Sequence, residues 1–172
     1  GSEMCIRDRH HTIGQCLVNH CVNDILPSGA KPFMFLDYLA FSEIAEEKVL
    51  DVVRGISEAC NSLDCILAGG ETAQMPDIYK KGDIEVVGFI LGIVEKEKIP
   101  KINDIKEGDI VIGIPSNGLH TNGYSLVREI FDFDKNEREM DITVPGTKNS
   151  LGEMLTLSLI HISEPTRLLS IG

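Results

Sequence analysis

Apolar residues recur with helical spacing over residues 12–26, where Ile13, Leu17, Cys21 and Ile25 form one stripe. Pro27-Ser28-Gly29 stops that helix. Residues 32–41, Pro-Phe-Met-Phe-Leu-Asp-Tyr-Leu-Ala-Phe, are a nearly continuous apolar run and predict a buried strand with one charge inside it. The period returns to helical over residues 46–62, with Val49, Val52, Val53, Ile56 and Ala59 facing inward. Cys65 to Ala68 predicts a short strand ending in Gly69-Gly70-Glu71-Thr72-Ala73, with residues 73–82 as loop. Residues 84–95 predict a long β-branched strand that contains Gly88 and Gly92. Ile99 to Gly108 is a polar connector with the marks of a domain boundary. Beyond it the pattern predicts a strand over 109–115, a helix over 122–131, an irregular polar stretch over 132–148 and the start of a helix over 150–157. Alternating strands and helices give an α/β or α+β fold, without internal repeats.

The chain has 172 residues, 42% of them hydrophobic and 25% charged, which suits one domain or one domain and part of another. A formal charge of −11 argues against a nucleic-acid partner, because phosphate backbones select basic surfaces. It leaves room for a small phosphorylated ligand, which needs only local donors. Without a long apolar run or a secretory leader, neither a membrane partner nor export is expected. Five cysteines, an odd number with no CxxC pair, read as reduced cytosolic thiols. Cys16, Cys21, Cys60 and Cys65 sit among apolar residues and read as buried small hydrophobes.

Four segments carry candidate chemistry. Ser116-Asn117-Gly118-Leu119-His120-Thr121-Asn122-Gly123-Tyr124-Ser125-Leu126 closes a strand and runs into a helix, a junction whose free N–H groups and dipole favour an anion. His120 in that turn is either a plain turn residue or a group that donates to phosphate and moves protons near neutral pH; His10, His11 and His20 read as surface residues of the first helix. Asn23-Asp24 lies near a helix C-terminus, where a carboxylate is unfavourable unless a cation compensates, or unless it is simply exposed before Pro27. Asp37 inside an apolar strand must face a cleft, hold a partner or sit at a solvent-facing edge. Gly69-Gly70-Glu71-Thr72 lets backbone approach a ligand and places a carboxylate at the expected strand end. Asp24, Asp37 and Glu71 together suggest an oxygen-ligand site suited to Mg²⁺ and nucleotide phosphates. No HExxH or paired-Cys motif points to zinc, and no GxxxxGK[ST] loop is present.

These segments together resemble aminoimidazole ribonucleotide synthetase (phosphoribosylformylglycinamidine cyclo-ligase). The matching stretches are Cys21-Val22-Asn23-Asp24-Ile25, Phe35-Leu36-Asp37-Tyr38, Gly69-Gly70-Glu71-Thr72-Ala73 with Met75-Pro76, Val87-Gly88-Phe89 through Gly92-Ile93-Val94-Glu95-Lys96, and Ser116 through Arg128. Their order and spacing fit over residues 10 to about 157. The resemblance implies ATP-dependent closure of the imidazole ring of formylglycinamidine ribonucleotide in purine biosynthesis, in the cytoplasm. It implies that ATP and Mg²⁺ are held by Asp24 and Glu71, with Asn23, Asp37, Gly69, Gly70 and Thr72 lining the site. Ser116, Asn117, Gly118, His120, Thr121 and Asn122 would meet the ribonucleotide, with His120 and Asp24 nearest the chemistry. It also implies two α/β domains, the first pairing with its twin in a homodimer through a β-barrel. On that mapping residues 10–100 are most of the first, ATP-binding domain and 101–157 open the second.

Two departures matter. The family's glycine-rich Asp-Gly-Val-Gly-Thr-Lys segment upstream of the first helix is missing, and so is most of the second domain. Residues 1–9 and 158–172 are unlike the family and resemble translated adaptor sequence, although Pro165-Thr166-Arg167 echoes a family triplet. The expectation is a fragment with foreign, disordered ends that is inactive by itself. The alternatives are another ATP-dependent member of the superfamily, of selenide-activating, thiamine monophosphate kinase or hydrogenase-maturation type, or a non-catalytic dimerising module.

Overall fold

The computed structural model describes residues 10–113, 123–131 and 140–156. Its main body is a sheet of three strands with two helices on one face. The elements in chain order are α1 (His10–Ile25), β1 (Lys31–Phe41), α2 (Glu46–Ser62), β2 (Ile66–Gln74), β3 (Ile84–Ile93), α3 (Tyr124–Phe131) and α4 (Leu151–Thr156). The fold is mixed α/β, as the alternating pattern predicts. The first three elements agree with the sequence reading to within two residues at every boundary.

β1 is the centre of the sheet, with order β2-β1-β3. It runs parallel to β2 and antiparallel to β3. The parallel pair needs a crossover, and α2 supplies it. Phe35, Leu39 and Phe41 of β1 point to the helix face and join Val18 and Val22 of α1 and Val52, Ile56 and Cys60 of α2 in one buried core. The two helices meet where both carry glycine. A side chain on Gly55 would strike the His11 carbonyl, and one on Gly14 would strike the Val52 carbonyl and come within 2.6 Å of the Ile56 nitrogen. Only hydrogen at both positions allows backbones this close. Gly88 does the same between sheet and helix, since a Cβ there would meet Phe35, Cys21 and Leu17.

The other face of the sheet is open. Met34, Leu36 and Tyr38 of β1 lie beside Leu91, Phe89 and Val87 of β3 in register, and the three β3 residues are exposed, Phe89 by 60%. Strand alternation thus sorts β3 into a covered row and an uncovered apolar row.

Three expectations are corrected. β2 does not stop at Ala68. It continues through Gly69-Gly70-Glu71-Thr72 to Gln74, because β1 offers a pairing partner along its whole length. The register slips at Ala68, left without a partner between Phe35↔Leu67 and Leu36↔Gly69, and both glycines then pair with β1, Gly69 at φ 147°. The strand expected over 109–115 is not formed at residues 109–113, where Ile110 and Val111 are 88% and 95% exposed. An apolar run becomes a strand only where another backbone satisfies its N–H and C=O groups, and no described strand lies beside it; residues 114 and 115 lie outside the described residues. β3 ends at Ile93, before Glu95. A second, smaller apolar cluster joins Tyr124, Val127 and Phe131 of α3 to Met140, Leu151 and Leu155, and the Tyr124 hydroxyl donates to the Leu155 carbonyl at 2.7 Å.

Candidate functional site

The described candidate residues fall on two levels and two faces of the sheet. Asp37 sits mid-strand on the helix face, between Gly70 of β2 and Gly88 of β3 in register. Its carboxylate leans over Gly70, where a Cβ would stand 2.5 Å from Oδ1. Gly70 is itself exposed and lies on an edge strand, so the carboxylate is reached from the side of β2. Burial holds the Asp37 carboxyl above its ordinary value, and a backbone hydrogen bond offsets part of that rise. Of the readings the sequence left open, the solvent-facing strand edge does not fit Asp37, because β1 is the central strand of the described sheet.

Glu71 is the next residue along β2 and therefore points the other way. It pairs in register with Tyr38, on the open face, is exposed, and its Oε1 accepts the Thr72 backbone N–H at 3.0 Å. Asn23 and Asp24 lie in the last turn of α1. Ile25 of that turn packs toward Gly92 and Ala30, so the turn ends where β1 begins. Asp24 is exposed and stands 3.9 Å from His20 Nε2, one turn back along the helix.

The three carboxylates expected to share one cation, Asp24, Asp37 and Glu71, stand at separate places on this fold. Period-two alternation puts Asp37 and Glu71 on opposite faces, and α1 carries Asp24 toward the end of the sheet where β1 starts. Among the described residues no three His, Cys, Asp or Glu side chains are grouped as a metal site. Among the described residues Asp24, Asp37 and Glu71 thus form no ready-made cage for a cation within one chain, and no chemical step is derived through magnesium. What the geometry brings together is smaller: Asp37, Gly69, Gly70 and Thr72 on adjoining strands.

The loops beyond the ends of β1 and β2 are tied down. The Met75 N–H donates to the Phe41 carbonyl at 2.8 Å, the Ile44 N–H to Gln74 Oε1 at 3.1 Å and the Gly82 N–H to Ser42 Oγ at 3.1 Å. These contacts fix the backbone that follows Gly69-Gly70-Glu71. Nothing in the hydrophobic pattern announced them, because they are made by backbone groups and by the polar side chains of Gln74 and Ser42. Ser116, Asn117, Gly118, His120, Thr121 and Asn122 lie outside the described residues, and the described part of that motif, Gly123 to Leu126, enters α3. Among the described residues no helix is long and apolar enough to cross a membrane.

Comparison with known proteins adds what the geometry alone does not carry. The family profile described as AIR synthase related protein, N-terminal domain, matches residues 1–94, and the corresponding C-terminal domain profile matches residues 106–162. The phosphoribosylformylglycinamidine cyclo-ligase of Caldanaerobacter subterraneus subsp. tengcongensis is 48% identical over 148 residues, covering 86% of this chain and 44% of that protein. The protein of the same name from Thermoanaerobacter pseudethanolicus is 46% identical over 156 residues, covering 90% of this chain and 46% of its own length. This chain thus spans less than half the length of these relatives. Among solved structures, thiamine monophosphate kinase from Aquifex aeolicus aligns at 20% identity with a TM-score of 0.44, over 50% of this chain and 28% of that one.

Proposed function

From the premise that this chain belongs to the AIR synthase related protein family, we propose that it is part of a phosphoribosylformylglycinamidine cyclo-ligase. The observation that carries the proposal is 48% identity to a cyclo-ligase, sustained over 148 residues and 86% of this chain. The same identity favours this reading over a kinase of the same superfamily. The reaction closes an imidazole ring on a ribonucleotide, with ATP making the amide oxygen a leaving group. It belongs to cytoplasmic purine synthesis. Catalysis of that kind rests on holding the phosphates and the reacting atoms in place.

Residues 10–100 would form most of the ATP-binding domain and 101–157 the opening of the second. The two separate apolar clusters and the two profile ranges support that division. The exposed β2 edge at Gly69-Gly70, with Asp37 beside it, would border the triphosphate. Ser116 to Asn122, with His120, would face the ribonucleotide. The open sheet face supports a homodimer, because exposed Val87, Phe89 and Leu91 form a continuous apolar row. Glu71 lies on that same face, so its part in an ATP site would depend on pairing with a second chain.

Calorimetric titration with Mg–ATP tests the site. Binding weakened by about tenfold or more in Asp37→Ala and in Asp24→Ala supports it. A silent titration in the unaltered chain and both variants favours a non-catalytic dimerising module.

A further inference from the structure

The last turn of α2 closes in a way that brings two buried thiols together. Asp64 stands at φ 52°, in the left-handed region, and the Cys65 N–H donates to the Cys60 carbonyl at 2.9 Å. A left-handed residue followed by a six-to-one backbone bond is the Schellman turn, whose two bonded residues commonly make a side-chain contact across it. Here those two residues are Cys60 and Cys65, 1% and 5% exposed, in the same core cluster. Neither is in a disulfide, and each thiol bears on the ionisation of the other.

We propose that Cys60 and Cys65 are a dithiol that closes to an intramolecular disulfide across the α2–β2 turn when the protein meets a small-molecule disulfide. The turn has already performed the costly part, because it fixes the backbones of both residues five positions apart and buries both side chains in one core cluster. The bond would tie the end of α2 to the residue preceding β2, the strand that carries Gly69 and Gly70.

The chemistry runs in two exchanges. The Cys65 thiol, the less buried of the two, loses its proton to solvent and attacks one sulfur of the oxidant R–S–S–R. A Cys65–S–S–R bond forms, the oxidant's S–S bond breaks, and R–S⁻ leaves and takes up a proton. The Cys60 thiol then loses its proton and attacks the Cys65 sulfur, forming the Cys60–Cys65 bond and expelling the second R–S⁻, which is also protonated. The protein gives up two electrons and two protons, and the oxidant becomes two R–SH. Burial pushes the Cys60 thiol up to about 12 and raises Cys65 as well. Thiolate is therefore scarce, and closure is slow at neutral pH and faster as pH rises.

The experiment incubates the native 172-residue chain with oxidised glutathione, blocks remaining thiols with iodoacetamide and maps the digest by mass spectrometry. The expected product is a Cys60–Cys65 linkage, lighter by two hydrogens, formed at a rate independent of protein concentration and reversed by dithiothreitol. The oxidised chain should unfold at higher urea than the reduced one. Cys60→Ala and Cys65→Ala, each checked for cooperative unfolding, should both lose the linkage and the urea shift. If Cys60 and Cys65 are recovered fully alkylated after native incubation, or link only once the chain is denatured, they are inert core thiols and the proposal falls.

Discussion

The Asp37 carboxylate lies directly over Gly70 of the neighbouring strand, so close that a methyl group on Gly70 would stand 2.5 Å from both Oδ1 and the Asp37 carbonyl oxygen. Gly70 does not have a positive φ, so space alone demands glycine there. Gly70→Ala is expected to push the carboxylate aside and cost about 1–3 kcal/mol, the usual range for overpacking. A urea midpoint that stays at the wild-type value would show that the strands yield freely at this position.

Gly69, one residue earlier, isolates the opposite cause. Nothing lies within 4 Å of a Cβ placed there, but its φ is 147°. Gly69→Ala therefore strains backbone without a clash, for an expected loss of about 1–2 kcal/mol. Combining the two changes in one chain should give close to the sum of their losses, and a double variant well away from that sum would show that the two causes are not independent.

Stability should depend on the Asp37 proton. Its folded-state value is raised by burial, so the unfolded chain releases the proton first. The contribution is whole at low pH, below the unfolded value, and is lost as pH rises through the folded one. Urea midpoints for wild type and Asp37→Asn, compared over roughly pH 3.5 to 7, should coincide at the acid end and separate upward, with the wild type the lower. Parallel curves would mean that Asp37 titrates alike in both states.

Much of this architecture was legible in the chain. The helical period of Ile13, Leu17, Cys21 and Ile25 placed α1, and the run from Pro32 to Phe41 placed β1, but the fully buried α1 residues are Val18 and Val22, one position round from the stripe, while Leu17 and Cys21 are only partly buried. The extent of β2 was not legible. A Gly-Gly pair looks like a turn in isolation, and only the neighbouring strand decides that it pairs. Ile110, Val111 and Ile112 misled for the complementary reason, since a strand-like run had no described strand to meet. Asp37 and Glu71 both read as site carboxylates, but they lie on different strands, and only the pairing of Asp37 with Gly70 and of Tyr38 with Glu71 decides which face each one takes. The close approach of Gly14 to Gly55 had no sequence signal beyond two small residues on apolar helices.

The exposed row on β3 gives a prediction about association. Phe89→Asp should abolish concentration-dependent dimerisation in sedimentation velocity and leave the helical circular dichroism signal unchanged. A dimer that survives this change is held by some other surface.

Asp24 offers a clean separation of stability from binding. Its pairing with His20 is long and solvent-exposed, so Asp24→Ala should alter stability by less than about 0.5 kcal/mol. Any loss of nucleotide affinity in that variant can then be assigned to the site. A shift in urea midpoint well beyond that limit would show Asp24 holding the fold instead.

The most direct test is a chimera in which residues 10–156 replace their counterparts in the Caldanaerobacter cyclo-ligase, assayed for ATP-dependent formation of aminoimidazole ribonucleotide. The account predicts turnover within about tenfold of the parent enzyme, with the 172-residue chain alone giving none. A chimera that folds and dimerises but closes no ring would contradict it.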